Sequence, residues 1–170
     1  MFEDIRVDMF ERLGLPRRFS VDLEALEREY LARSRTLHPD FHQLGAASEQ
    51  AASLELSAAL NEAYSTLKSP FHRAEYLLQL EGGPTAAEVK EIPAEFLEEM
   101  LELRMEIAEL ERDSPEAAAM EMRMKLRRDA LIEQVAHQFA TTDTTRLLAI
   151  RKLLNATKYV ENLLRDLRAL

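Results

Sequence analysis

The chain has 170 residues and a net charge of −9, with no Cys, no Trp, and only 4 Gly and 6 Pro. Without cysteine there is no disulfide framework, no thiolate-held zinc or iron–sulfur cluster and no thiol nucleophile. A chain that is 46% hydrophobic and 31% charged is neither a loop-rich β protein nor disordered, and its acidity disfavours nucleic acid and anionic membranes as partners.

In chain order, the apolar set Phe10, Leu13, Leu15 with Pro16 predicts a short turn. Asp22 then caps a helix over 23–37, with Leu23, Leu26, Tyr30 and Leu37 on one face. Pro39 ends it, because the residue before a proline is pushed out of the helical region. A polar, Gly-containing stretch leads to a second helix over 49–67, with Leu54, Leu56, Leu60, Ala63, Tyr64 and Leu67 as its apolar set. Ser69-Pro70 is an N-cap followed by a first-turn proline, so a third helix runs to Leu80. Gly82-Gly83-Pro84 stops it and marks a domain boundary, giving domains 1–82 and 83–170. Acidity is spread evenly and marks no boundary.

The second domain reads as three longer helices: one from Pro93 to near Arg112, one capped by Ser114-Pro115 and reaching Ala140, and one capped by Thr142 or Asp143 and running nearly to Leu170. Short connections make neighbours antiparallel. The fold class is all-α: an antiparallel helix pair with small flanking helices, followed by an antiparallel three-helix bundle.

His38-Pro39-Asp40 sits where the first long helix gives way to its loop. Proline fixes φ near −65° and projects a histidine and a carboxylate from a helix end. Asp40 suits an arginine on a partner, and His38 can donate, accept or change charge near neutral pH. From the tripeptide alone, an ordinary turn with a capping aspartate is the better reading.

The surrounding residues add a resemblance. The runs 30–40 (YLARSRTLHPD), 61–70 (NEAYSTLKSP) and 73–78 (RAEYLL) are similar to a J-domain. The closing Arg-Ala-Glu-Tyr-Leu-Leu, the opening Phe10-Glu11-Arg12-Leu13-Gly14-Leu15-Pro16 and the second-half run 96–104 (FLEEMLELR) resemble the HscB family, J-domain co-chaperones of iron–sulfur cluster assembly. The resemblance covers essentially the whole chain. It implies docking on an ATP-bound chaperone of the DnaK/HscA class and acceleration of its ATP hydrolysis, with His38, Pro39 and Asp40 as the tripeptide on which this depends. Arg35, and Arg28 one heptad earlier on the same face, would meet an acidic surface of that chaperone. Arg33 is a lesser candidate. The alternative for these arginines is a solvated face paired with Glu24, Glu27 and Glu29. Phe41-His42 stands where the family commonly has a basic residue followed by Phe.

In the helix from Pro93, Phe96, Met100, Leu103, Ile107 and Leu110 step by four and three, the pattern of a bundle seam. Leu97, Leu101 and Met105 form a second stripe about 100° around the helix. Glu98, Glu102, Glu106 and Glu109 border it. A helix with two neighbours in a bundle also has a wide apolar arc. The resemblance makes the stripe the face that binds the iron–sulfur scaffold protein, IscU-like, through Leu97, Leu101, Glu102, Met105 and Glu109. Glu98 and Met105 depart in type from one member of the family, in which those roles are apolar and acidic respectively. The family also uses an aromatic on the last helix; the matching run 152–156 (KLLNA) has none, and Leu154 or Tyr159 could stand in. Met120, Met122 and Met124 alternate, so at least one faces away from the core. His137, between Val135 and Phe139, reads as a core histidine, and Arg123, Lys125, Arg127 and Arg128 as a solvated helix face.

The expectation is a co-chaperone with no catalytic activity, no cofactor and no bound metal. No apolar run reaches the ~18–20 residues of a membrane span. Met1-Phe2-Glu3-Asp4 carries acids where a secretory leader begins with positive charge. The expected location is therefore the cytoplasm. The alternatives are a J-domain adaptor for a different client, a metal-dependent helical enzyme built on His38, Asp40 and His42, and a structural coiled-coil oligomer.

Overall fold

The computed structural model describes residues 7–37 and 47–169, with side chains from residue 50 onward in the second span. The described residues form seven helices and no strand: α1 (Met9–Arg12), α2 (Leu23–Leu37), α3 (Ala47–Lys68), α4 (Pro70–Leu80), α5 (Ala94–Ala108), α6 (Pro115–Ala140) and α7 (Arg146–Arg168). The chain separates into two compact units, Met1–Leu77 and Leu78–Leu170.

Helix starts follow local chemistry. Asp22 accepts from the amides of Glu24 and Ala25 at the start of α2, and Ser114 accepts from the amide of Ala117 ahead of Pro115 at the start of α6. Each satisfies amide donors that a first turn leaves without partners. Helix ends depart from expectation. α5 stops at Ala108 rather than near Arg112: the amides of Glu109 and Leu110 bond back three residues, to the carbonyls of Glu106 and Ile107, in a tightened last turn, and the chain then leaves through Asp113 at φ 58. Aspartate tolerates that left-handed conformation. α7 begins at Arg146 because Asp143 spends its carboxylate on the amide and hydroxyl of Thr145, a local turn in place of a cap.

In the first unit α2 and α3 are antiparallel. Tyr30 stacks on Tyr64 with ring centroids 4.1 Å apart and donates to Asn61; at the other end of the pair, buried Ser53 donates to the carbonyl of Leu37 at 2.8 Å. The core holds Phe10, Leu13, Leu26, Leu60, Ala63, Leu67, Ala74 and Leu77. Leu23 and Leu54 are exposed, against expectation. Leu54 lies about 140° around α3 from Leu67, so an apolar residue type did not place it on the apolar face.

Arg73 is the main polar fixture of this unit. It is buried, donates to the carbonyl of Leu67 at 2.7 Å and of Phe19 at 2.8 Å, and lies over the Phe19 ring. Burial lowers its pKa from the usual arginine value. One guanidinium thus closes the α3–α4 corner and pins the segment after α1.

In the second unit Gly82 takes φ 74 and Gly83 returns its amide to the carbonyl of Leu78 at 2.8 Å. A Cβ on Gly83 would collide with the Leu78 side chain, so the close approach requires glycine. The chain then runs along α7. Buried Arg151 donates to Pro84 O, and Asn155 to the carbonyls of Val89 and Glu91. α6 and α7 form the most extensive helix pair, closed at the far end by Arg168 on Glu121 at 2.7 Å. Arg168 and Lys125 hold the Glu121 carboxyl below the usual range. A carboxyl lowered in the folded state adds stability that is complete above its unfolded value and is lost as pH falls through the folded one.

Two outcomes are expected. Arg73→Ala leaves two carbonyls without their charged donor and lowers unfolding free energy in urea by about 3 kcal/mol, and Arg73→Lys recovers only part of it. In an NMR pH titration Glu121 protonates below an ordinary glutamate, and Arg168→Ala moves it upward.

Candidate functional site

The first candidate surface is the exposed side of α2. Arg28 and Arg35 lie about 20° apart around the helix and both are exposed. Neither forms an ion pair among the described residues. Arg33 does: it faces Glu29, donates to the carbonyl of Arg12 at 2.6 Å and is half-buried. The paired-face alternative therefore describes Arg33, whereas Arg28 and Arg35 keep their guanidinium groups open to solvent. His38, Pro39, Asp40 and His42 lie outside the described residues. Just before them, Leu37 is held by the Ser53 hydrogen bond, so the last carbonyls of α2 are partly satisfied from α3. Ser53 carried no sequence signal, because serines facing an opposite helix have no fixed spacing.

The second candidate surface is on α5. Phe96, Met100, Leu103 and Ile107 are buried as expected, and Leu110 is half-buried beyond the helix end. Leu97, Leu101 and Met105 are 55%, 62% and 65% exposed. The second stripe therefore is not a neighbour-facing part of the bundle. Glu98, Glu102 and Glu109 are exposed along one edge and Arg104 along the other.

Charges on the side facing α6 agree with the rotation of α5 that its buried seam requires. Arg127 donates twice to Glu99 at 2.7 and 3.0 Å and lies over the Phe96 ring, and Arg123 donates to Glu106 at 2.9 Å. Residue numbers rise on one helix as they fall on the other, so the two are antiparallel. This corrects the reading of the basic run as a purely solvated face: Arg123 and Arg127 repeat every four residues and meet acids repeating every seven on α5. Glu106 consequently belongs to the helix seam and leaves Glu98, Glu102 and Glu109 as the open acids of the stripe.

Three further expectations on this unit have outcomes. Leu154 is fully buried and offers no surface for an aromatic's role, whereas Tyr159 is half-buried. Met122 is exposed while Met120 and Met124 are buried. His137 is exposed, not core, and lines an open groove with Gln134, Lys152 and Pro93. Val135 and Phe139 lie on one side of α6 because they are four apart, and His137, two from each, points away from them.

Among the described residues no cluster of His, Asp or Glu is arranged to hold a metal ion, and no helix is long and apolar enough to cross a membrane. The metal reading of His38, Asp40 and His42 falls on residues outside the description.

The packing of α5 gives a contrast between neighbours. Met100→Ala costs about 3 kcal/mol in chemical denaturation because it opens a core cavity, whereas Leu101→Ala, one residue on, stays within about 0.5 kcal/mol.

Comparison with known proteins follows the same division. The family described as the HSCB C-terminal oligomerisation domain matches residues 92–168, the span that holds α5, α6 and α7. The whole chain is similar to the chaperone HscB from Vibrio cholerae, with a TM-score of 0.79 and 26% identity over 95% of this chain and 96% of that one. It is likewise similar to the human co-chaperone protein HscB, with a TM-score of 0.86 and 26% identity over 98% of this chain and 83% of that one.

Proposed function

For a chain that is HscB-like, all-helical, with a J-domain and a C-terminal helical bundle, we propose a dual-recruitment co-chaperone. Its J-domain, to Gly82, stimulates ATP hydrolysis by a DnaK/HscA-class chaperone. The three-helix domain from Gly83 binds the iron–sulfur scaffold protein. The protein is cytoplasmic, has no catalytic activity of its own and needs no cofactor. The observation that carries this reading is the exposed, acid-edged stripe of Leu97, Leu101 and Met105 inside the matched span 92–168.

The two surfaces divide the work. His38, Pro39 and Asp40, with Arg35 and Arg28, engage the chaperone. The open guanidinium groups of Arg28 and Arg35 suit an acidic partner, which they steer and orient more than they hold. Leu97, Leu101, Glu102, Met105 and Glu109 engage the scaffold, an apolar contact rimmed by charge. Linking the modules raises the effective concentration of client beside the chaperone, assisting transfer of the assembled cluster to acceptor proteins. Met105, a thioether where one member of the family is acidic, and Glu98, an acid where that member is apolar, favour as second reading a J-domain adaptor for a different helical client.

The test is steady-state ATP hydrolysis by the cognate chaperone. Wild-type protein stimulates it, His38→Gln abolishes the stimulation, and the scaffold protein enhances it further. Stimulation that ignores the scaffold would select the second reading. A chaperone indifferent to the wild-type protein would overturn both.

A further inference from the structure

Met105 stands apart from the other methionines in what its oxidation would change. Of the seven in the chain, Met100, Met120 and Met124 are buried in the helix seams of the second unit and Met9 is half-buried. Met105 and Met122 are 65% and 58% exposed. A solvent-exposed thioether is open to peroxides, whereas a buried one is protected by its packing. Only Met105 lies in the apolar stripe of α5; Met122 lies on α6.

We propose that Met105 is an oxidation site that switches off docking of the scaffold protein, an inference that rests on the scaffold-binding reading of the stripe. The reaction is a two-electron oxygen transfer. The sulfur lone pair attacks a hydroperoxide, the O–O bond breaks, one oxygen atom stays on sulfur as the sulfoxide, and the peroxide leaves as water or an alcohol. The apolar end of the stripe becomes a strong dipole. The side chains one turn away on α5 offer that dipole no donor, and Arg104, the residue before it, lies about 100° around the helix. Glu102 and Glu109, one turn before and after it, present acceptor oxygens, and Leu101 and Ala108 are apolar. The sulfoxide oxygen therefore keeps its water, and an apolar partner surface that displaces the water leaves it unsatisfied. Such a loss weakens docking roughly tenfold or more. The fold is unaffected, because the buried side of α5 is built from Phe96, Met100, Leu103 and Ile107.

The test is titration of the full chain with the apo form of its cognate iron–sulfur scaffold protein, before hydrogen peroxide, after it, and after repair by methionine sulfoxide reductases. Peptide mass spectrometry follows each methionine, and circular dichroism follows the fold. Peroxide converts Met105 and Met122 ahead of Met100, Met120 and Met124, weakens binding about tenfold with helicity intact, and the reductases restore it. The ratio of treated to untreated affinity, about one tenth in the wild type, rises to one in Met105→Leu, whatever that variant's own affinity, and stays at about one tenth in Met122→Leu. Affinity that survives complete oxidation of Met105, or a loss that persists in Met105→Leu, overturns the switch alone. Absence of scaffold binding before any peroxide overturns the scaffold reading, and the switch with it.

Discussion

The rotation of α5 about its own axis is the constraint on which the second unit's surface depends. A helix whose apolar residues cover more than one face can settle at several rotations, each burying a different set. Here a buried seam and two ion pairs agree on one rotation. Phe96, Met100, Leu103 and Ile107 supply the burial, while Glu99–Arg127 and Glu106–Arg123 supply direction. The cation over Phe96 ties the two together, since Arg127 reaches both the carboxylate and the aromatic face. Partly exposed ion pairs contribute little to stability. Their effect is selective: a rotation that buried Leu97 and Leu101 would pull Glu99 and Glu106 away from α6.

Both units close with buried arginines, for the same physical reason. Each has an irregular segment lying against helices, and its carbonyls have no ladder to join. In the first unit Arg73 reaches Leu67 and Phe19; in the second Arg151 reaches Pro84, with Asn155 serving Val89 and Glu91. A planar donor on a long apolar stem can lie in a core and still serve carbonyls at its margin.

What could be read in the sequence follows from how local the determining chemistry is. Helix starts were legible because Asp22, Ser69-Pro70 and Ser114-Pro115 act within one turn. The end of α5 was not, since Glu109, Leu110, Glu111 and Arg112 are all good helix formers and the tightened turn at Glu109 and Leu110 has no local signal. The stripe of α5 was visible as a pattern, but its exposure was not: a 4-3 periodicity says which residues share a face, never whether another helix covers it. His137 misled because adjacency to Val135 and Phe139 was read in place of angle, and Leu154 because a last-helix leucine looks the same whether it faces a partner or the core. The tripeptide His38-Pro39-Asp40 was legible as residues, and its geometry lies outside the described span.

An exposed apolar stripe carries a standing hazard, because any other apolar surface can cover it. The edge of Glu98, Glu102 and Glu109 limits that promiscuity. These acids border the stripe closely enough that a surface covering Leu97, Leu101 and Met105 must lie beside them and remove part of their water. An acidic surface, a second copy of this −9 chain included, meets like charge there, while a surface with basic residues around an apolar centre recovers the lost hydration as ion pairs. Discrimination thus comes as much from what the carboxylates repel as from what they attract. With Glu106 held in the seam by Arg123, every remaining acid on this side of α5 is free for that selection.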